Sequence, residues 1–139
     1  MPQWIIYALF SAIFAALVAI FGKIGVSSVD STLATTVRVI IMALFLTLTS
    51  LVVGKWELFN SIHSKAWLFI ILSGVAGALS WLFYFYALQK GPASGVAALD
   101  RLSVVFVLIF AALFLAEKLT WLKVFGIIIL TIGAVLVAI

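Results

Sequence analysis

Asp100 and Arg101 are neighbours in the run Val96-Ala97-Ala98-Leu99-Asp100-Arg101-Leu102-Ser103-Val104-Val105, which continues apolar to Leu115. A charge set deep in hydrocarbon costs about 2.5–3.5 kcal/mol on insertion scales, so an adjacent opposite pair in such a run marks either a site or a structural lock. Arg38 is a third charge of this kind, inside the run Thr32 to Val53. Three kinds of chemistry are open to the three residues. Arg38 and Asp100 can form an ion pair that fixes helix register. Arg38 and Arg101, with one acid between them, can leave a positive charge that attracts a carboxylate-bearing ligand. Asp100 can exchange protons and tie a flux to a proton gradient.

Other chemistries lack their residues. The chain has no cysteine and one histidine, His63, so neither a disulfide framework nor a histidine or thiolate zinc centre can be built. No convergent set of acid, base and nucleophile can be assembled either, so an enzyme is not expected, and no cofactor or metal is implied. His63 lies in the polar stretch Gly54 to Lys65 and reads as an ordinary interfacial residue, with a ligand or pH-sensing role as the rarer alternative. The formal charge of +4 comes from eight Lys and Arg residues scattered along the connections. They form no basic stripe, so nucleic acid is not an expected partner.

The elements that must position these charges follow from composition. The residues are 68% hydrophobic and only 9% charged, with a mean hydropathy of +1.45, whereas a soluble domain is about a quarter charged. A span needs about 20 apolar residues to cross roughly 30 Å of hydrocarbon. Five segments qualify: Trp4 to Gly22, Thr32 to Val53, Ala66 to Leu88, Gly95 to Leu115 and Trp121 to Ile139. Lipid offers backbone groups no hydrogen bonds, so all five are expected as α-helices. The chain therefore reads as an all-α integral membrane protein, residues 1–139 forming one domain of five transmembrane helices. The first segment lacks a basic leader and exceeds the 7–15 residues of a signal-peptide core, which makes it a span.

Small residues in span 1 (Ala8, Ser11, Ala12, Ala15, Ala16, Ala19, Gly22) recur at three and four and predict a packing face. Asp30-Ser31-Thr32 offers caps for span 2, along which Thr35, Arg38, Met42, Phe45 and Thr49 make a semi-polar stripe. Arg38 lies about 9 Å along that helix, too deep for casual solvation. Span 3 places Ser73, Gly77, Ser80, Trp81 and Tyr84 on one face, with Trp81 and Tyr84 serving as an interface anchor or as a wall of a substrate cavity. Gly91-Pro92 ends span 3 in a tight reversal. Gly74 and Gly77 in span 3, and Gly126 and Gly133 in span 5, are expected helix-packing positions. Asp100 has the same estimated depth as Arg38, while Arg101 points about 100° away from it.

Five spans put the N-terminus, the Gly54–Lys65 link and the Glu117–Lys123 link on one side, and the Ser27 link, the Lys90 link and the C-terminus on the other. Lys55, Lys65, Lys118 and Lys123 oppose Lys23 and Lys90, which favours the first side in the cytoplasm. Arg38 and Arg101 lie nearer the second side and erase that bias. An odd span count with little charge bias is what a chain able to insert in both orientations would show, and two opposed copies would build an inverted repeat.

The run Tyr84-Phe85-Tyr86-Ala87-Leu88, the turn Gly91-Pro92-Ala93, and the stretch from Leu102-Ser103-Val104-Val105-Phe106 to Phe114-Leu115-Ala116-Glu117-Lys118-Leu119 resemble an EamA-like domain of the drug/metabolite transporter superfamily. In that family the fourth span ends in phenylalanine-leucine-glycine-glutamate; here Ala116 replaces the glycine. A proline common early in the fourth span has no counterpart between Gly95 and Phe106. The resemblance implies a transporter of small metabolites, often an exporter of amino acids or related compounds. Larger members contain two inverted five-helix domains, so this chain is similar to one half, as in the short five-helix branch. It then implies a homodimer in a bilayer, antiparallel or pseudo-symmetric, working by alternating access on a small-molecule substrate. Arg38, Asp100, Arg101, Trp81, Tyr84 and Ser103 are the substrate or coupling candidates. Two rivals remain: a non-transporting membrane scaffold, and a small-multidrug-type cation exporter, which relies on a glutamate in its first helix that span 1 lacks.

Overall fold

The computed structural model describes residues 2–139. Five stretches are long and apolar enough to cross a membrane: Gln3–Gly25, Ser31–Val52, Ser64–Lys90, Ala93–Phe114 and Trp121–Ala138. Each matches an expected span to within three residues at either end, because span length is set by the bilayer and written in apolar residues. The elements are α1 (Gln3–Gly25), α2 (Ser31–Val52), a 3₁₀ turn (Trp56–Ser61), α3 (Ser64–Lys90), α4 (Ala93–Asp100), α5 (Ser103–Phe114) and α6 (Trp121–Ala138). The protein is an all-α multi-pass membrane protein.

One span differs from the expected continuous helix. At Arg101 and Leu102 the fourth span divides into α4 and α5. The amides of Arg101, Leu102, Val104 and Val105 donate to the carbonyls three residues back, Ala98, Leu99, Arg101 and Leu102, at 2.9–3.1 Å. The joint is therefore a tightened 3₁₀ passage. Asp100 and Ser103 flank it, residue types whose short polar side chains compete for backbone partners and disfavour helix interiors.

The residues group into two compact units, Ile24–Gln89 and Met1–Lys23 with Lys90–Ile139. In the first, α2 and α3 run as a hairpin. Asp30 caps α2 as expected, accepting from the amides of Thr32 and Leu33 at 2.9 and 3.0 Å. At its other end Gly54, with φ +70°, turns left-handed; its amide donates to Leu51 and that of Lys55 to Ser50, the double closure that satisfies terminal carbonyls. The polar link is not irregular: Trp56 stacks on Phe59 and Phe59 meets Trp67 edge-on at 5.3 Å, a cluster suited to the headgroup zone. Three hydroxyls inside the span are satisfied within their own helix: Thr35, Thr36 and Thr49 donate to the carbonyl four residues back at 2.7–2.9 Å.

In the second unit α4 packs on α6. Gly95 is buried, and a Cβ added there would stand 3.3 Å from Pro92 Cγ and 3.4 Å from the Ala138 Cα. Small residues permit this backbone approach, which is how helices associate without a hydrophobic drive. At Gly74, Gly77, Gly126 and Gly133 an added Cβ would meet nothing within 4 Å, so the single chain leaves those faces open. Of the small face on α1, Ala19 is buried and Ala15 and Gly22 half-buried, while Ala8, Ser11, Ala12 and Ala16 are exposed. The end of α5 holds Ala116 at φ +53°, with the Glu117 amide donating to the Ala111 carbonyl at 3.2 Å. Ala116 thus occupies the left-handed position for which the family pattern has glycine.

Candidate functional site

The α2–α3 hairpin gathers the polar and aromatic residues of its own two spans. At its Gly25–Ser31 end, the Thr32 and Tyr86 hydroxyls share a hydrogen bond of 2.9 Å and Gln89 Nε2 donates to the Val29 carbonyl at 3.4 Å. These bonds set the register of the two helices. The register carries Arg38 onto the aromatic face of α3: its guanidinium carbon lies 3.7 Å from the centre of the Trp81 ring and 5.4 Å from that of Phe85. A guanidinium over an indole face is held by the ring quadrupole, worth about 2 kcal/mol when desolvated. Trp81 is itself braced edge-on by Tyr84 at 5.4 Å and by Phe85 at 6.0 Å.

Stacking satisfies the face of a guanidinium and leaves its in-plane donors to be matched. Among the described residues, Arg38 Nη1 is buried without a hydrogen-bond partner, as is Ser31 Oγ. Arg38 as a whole is half-buried. The acids of this unit, Asp30 and Glu57, are elsewhere: Asp30 is committed to the α2 cap and Glu57 lies in the 3₁₀ turn. The site is thus a cation seated over rings, with an unmet donor at Nη1.

Among the expected site residues, Arg38, Trp81 and Tyr84 come together in the hairpin. Asp100, Arg101 and Ser103 lie in the other unit, at the α4–α5 joint, and all three are exposed. Phe85, Tyr86 and Thr32 were not among the expected residues. Their signal was available in part, since Trp81, Tyr84, Phe85 and Leu88 recur at three and four and define one face of α3. Among the described residues, no three of His, Asp and Glu gather where a metal could be held.

The family described as the EamA-like transporter family matches residues 2–139. A Sinorhizobium protein named "Uncharacterized transporter in cobO 3'region" is 43% identical over 137 residues, covering 99% of this chain and 97% of that protein. The pseudopaline exporter CntI of Pseudomonas aeruginosa is 32% identical over 68 residues, 49% of this chain and 24% of the exporter. No solved structure matches.

Proposed function

Because the chain belongs to the EamA-like transporter family, we propose that it exports a small polar metabolite, an amino acid or a related compound, by alternating access as a homodimer of oppositely inserted copies. The observation that carries this reading is the buried, unpartnered Nη1 of Arg38, set about 10 Å into α2 by helix rise in a chain of that family. A buried charge within a span is costly and is retained where it meets solute or partner.

The dimer has separate support. The chain has five spans, and the Pseudomonas exporter, of which the 68 matched residues are 24%, is about twice as long as this chain. A second copy would supply the missing half. It would also cover the faces at Gly74, Gly77, Gly126 and Gly133, where small residues allow close helix approach. Opposed insertion fits the balanced distribution of Lys and Arg between the two sides.

Alternating access needs elements with two arrangements. The α4–α5 joint is the place we assign to it, since a 3₁₀ passage within a helix often marks a hinge. Asp100, Arg101 and Ser103 sit on it, which fits a role at the mouth of the path. Purified protein in liposomes tests the proposal. Saturable flux of a mixture of ¹⁴C-labelled amino acids above that of empty liposomes is expected; flux equal to empty liposomes would favour a scaffold subunit.

A further inference from the structure

Resting on the transporter reading, we infer that Arg38, seated over the Trp81 ring, is the residue that grips the carboxylate of the transported compound, and that Trp81, Tyr84 and Phe85 form the apolar wall beside it. The bound class is then a small carboxylate with an apolar body.

The inference follows from what Arg38 has and lacks. Its guanidinium carbon lies 3.7 Å from the centre of the indole ring, a contact with the ring face that uses none of the in-plane N–H donors. A planar fork matches a carboxylate through two parallel hydrogen bonds. The fork is not used up: Nη1 has no partner although it is buried, and an unmet buried donor favours whatever acceptor can reach it. Of the four acids in the chain, Asp30 caps α2, Glu117 pairs with Lys123 and Glu57 sits in the 3₁₀ turn. Asp100 is therefore the internal competitor that must be tested against an external carboxylate. The rings add selectivity of their own, since the edges and faces of Trp81, Tyr84 and Phe85 offer stacking to an apolar body next to the carboxylate.

Two readouts test this on the full-length protein. In detergent, benzoate is expected to raise the melting temperature, whereas benzamide, of the same shape without the charge, is not. Arg38→Gln should abolish the benzoate shift, Arg38→Lys should reduce it while keeping the charge, and Asp100→Asn should leave it in place. In liposomes, Arg38→Gln is expected to cut the flux of labelled amino acids by about ten-fold or more, the weight of one charge-assisted hydrogen bond, and to change that of their amides less than two-fold. Equal protection by benzoate and benzamide, equal protection by inorganic phosphate, or a benzoate shift that is absent in the unaltered protein and arises only in Asp100→Asn would each overturn the inference. Absence of flux with the benzoate shift intact would instead remove the transporter reading and leave the carboxylate site standing. Should Arg38→Gln fail to fold, Arg38→Lys carries the comparison, and an undiminished benzoate shift there would overturn the bidentate grip.

Discussion

The α2–α3 hairpin and the unit of α1, α4, α5 and α6 hold their helices by different means. In the hairpin, polar side chains bridge the helices: Thr32 to Tyr86, Gln89 to the Val29 carbonyl, and Arg38 over the Trp81 ring. In the other unit, backbones close on one another where side chains are small, with Gly95 against Ala138, and Lys23 Nζ donates to the Gly91 carbonyl at 2.8 Å. Both solutions answer the same constraint, that lipid supplies no hydrophobic force between helices. They treat charge differently. The hairpin absorbs Arg38 into a ring stack, while the other unit leaves Asp100 and Arg101 exposed on a 3₁₀ joint.

Six substitutions can break or sharpen this contrast. The largest effect belongs to Trp81→Ala, which removes both the ring packing and the seat of Arg38; about 2–3 kcal/mol of hairpin stability should be lost, below the 3–5 of a fully buried ring because Trp81 is half-buried. Asp100→Asn should leave the unfolding midpoint in detergent unchanged, and an equal drop for both would erase the distinction between the two charged sites. Next comes Gly95→Val, expected to cost about 1–3 kcal/mol by forcing α4 from α6. Gly126→Val, in open space, should spare the monomer and weaken association measured by cross-linking.

Smaller and opposite in sign is Ala116→Gly. Relief of a left-handed alanine, about 1–2 kcal/mol, is partly offset by the greater freedom of an unfolded glycine, about 0.4–1 kcal/mol, leaving a net gain of about 0.5–1 kcal/mol. A loss on this substitution would show that φ +53° is not the resting conformation. The smallest loss of stability is expected for Glu117→Gln: its 3.5 Å contact with Lys123 is half-exposed on both partners and is worth about 0.2–1 kcal/mol, fading in high salt.

Span positions, the Asp30 cap and the reversal at Gly91-Pro92 were legible because each depends on residues close in sequence. Arg38, Trp81 and Tyr84 were each legible as candidates, but their association was not. Axial depth alone relates Arg38 to Asp100; the observed seat on Trp81 depends on the rotation of α2 and α3, which Thr32 and Tyr86 fix from 54 residues apart. Gly95 shows the same limit. A glycine's role in packing is decided by the backbone opposite it, and Ala138 lies far along the chain. At Ala116 the family pattern carried the information that a left-handed residue is needed there, and the chain meets that need with alanine.

The proposed assembly of two opposed halves has one direct test. A reporter active only in the cytoplasm and another active only outside it, each fused after Ile139 and expressed at native level, should both give signal in comparable amounts. Signal from one reporter alone would contradict the oppositely inserted dimer.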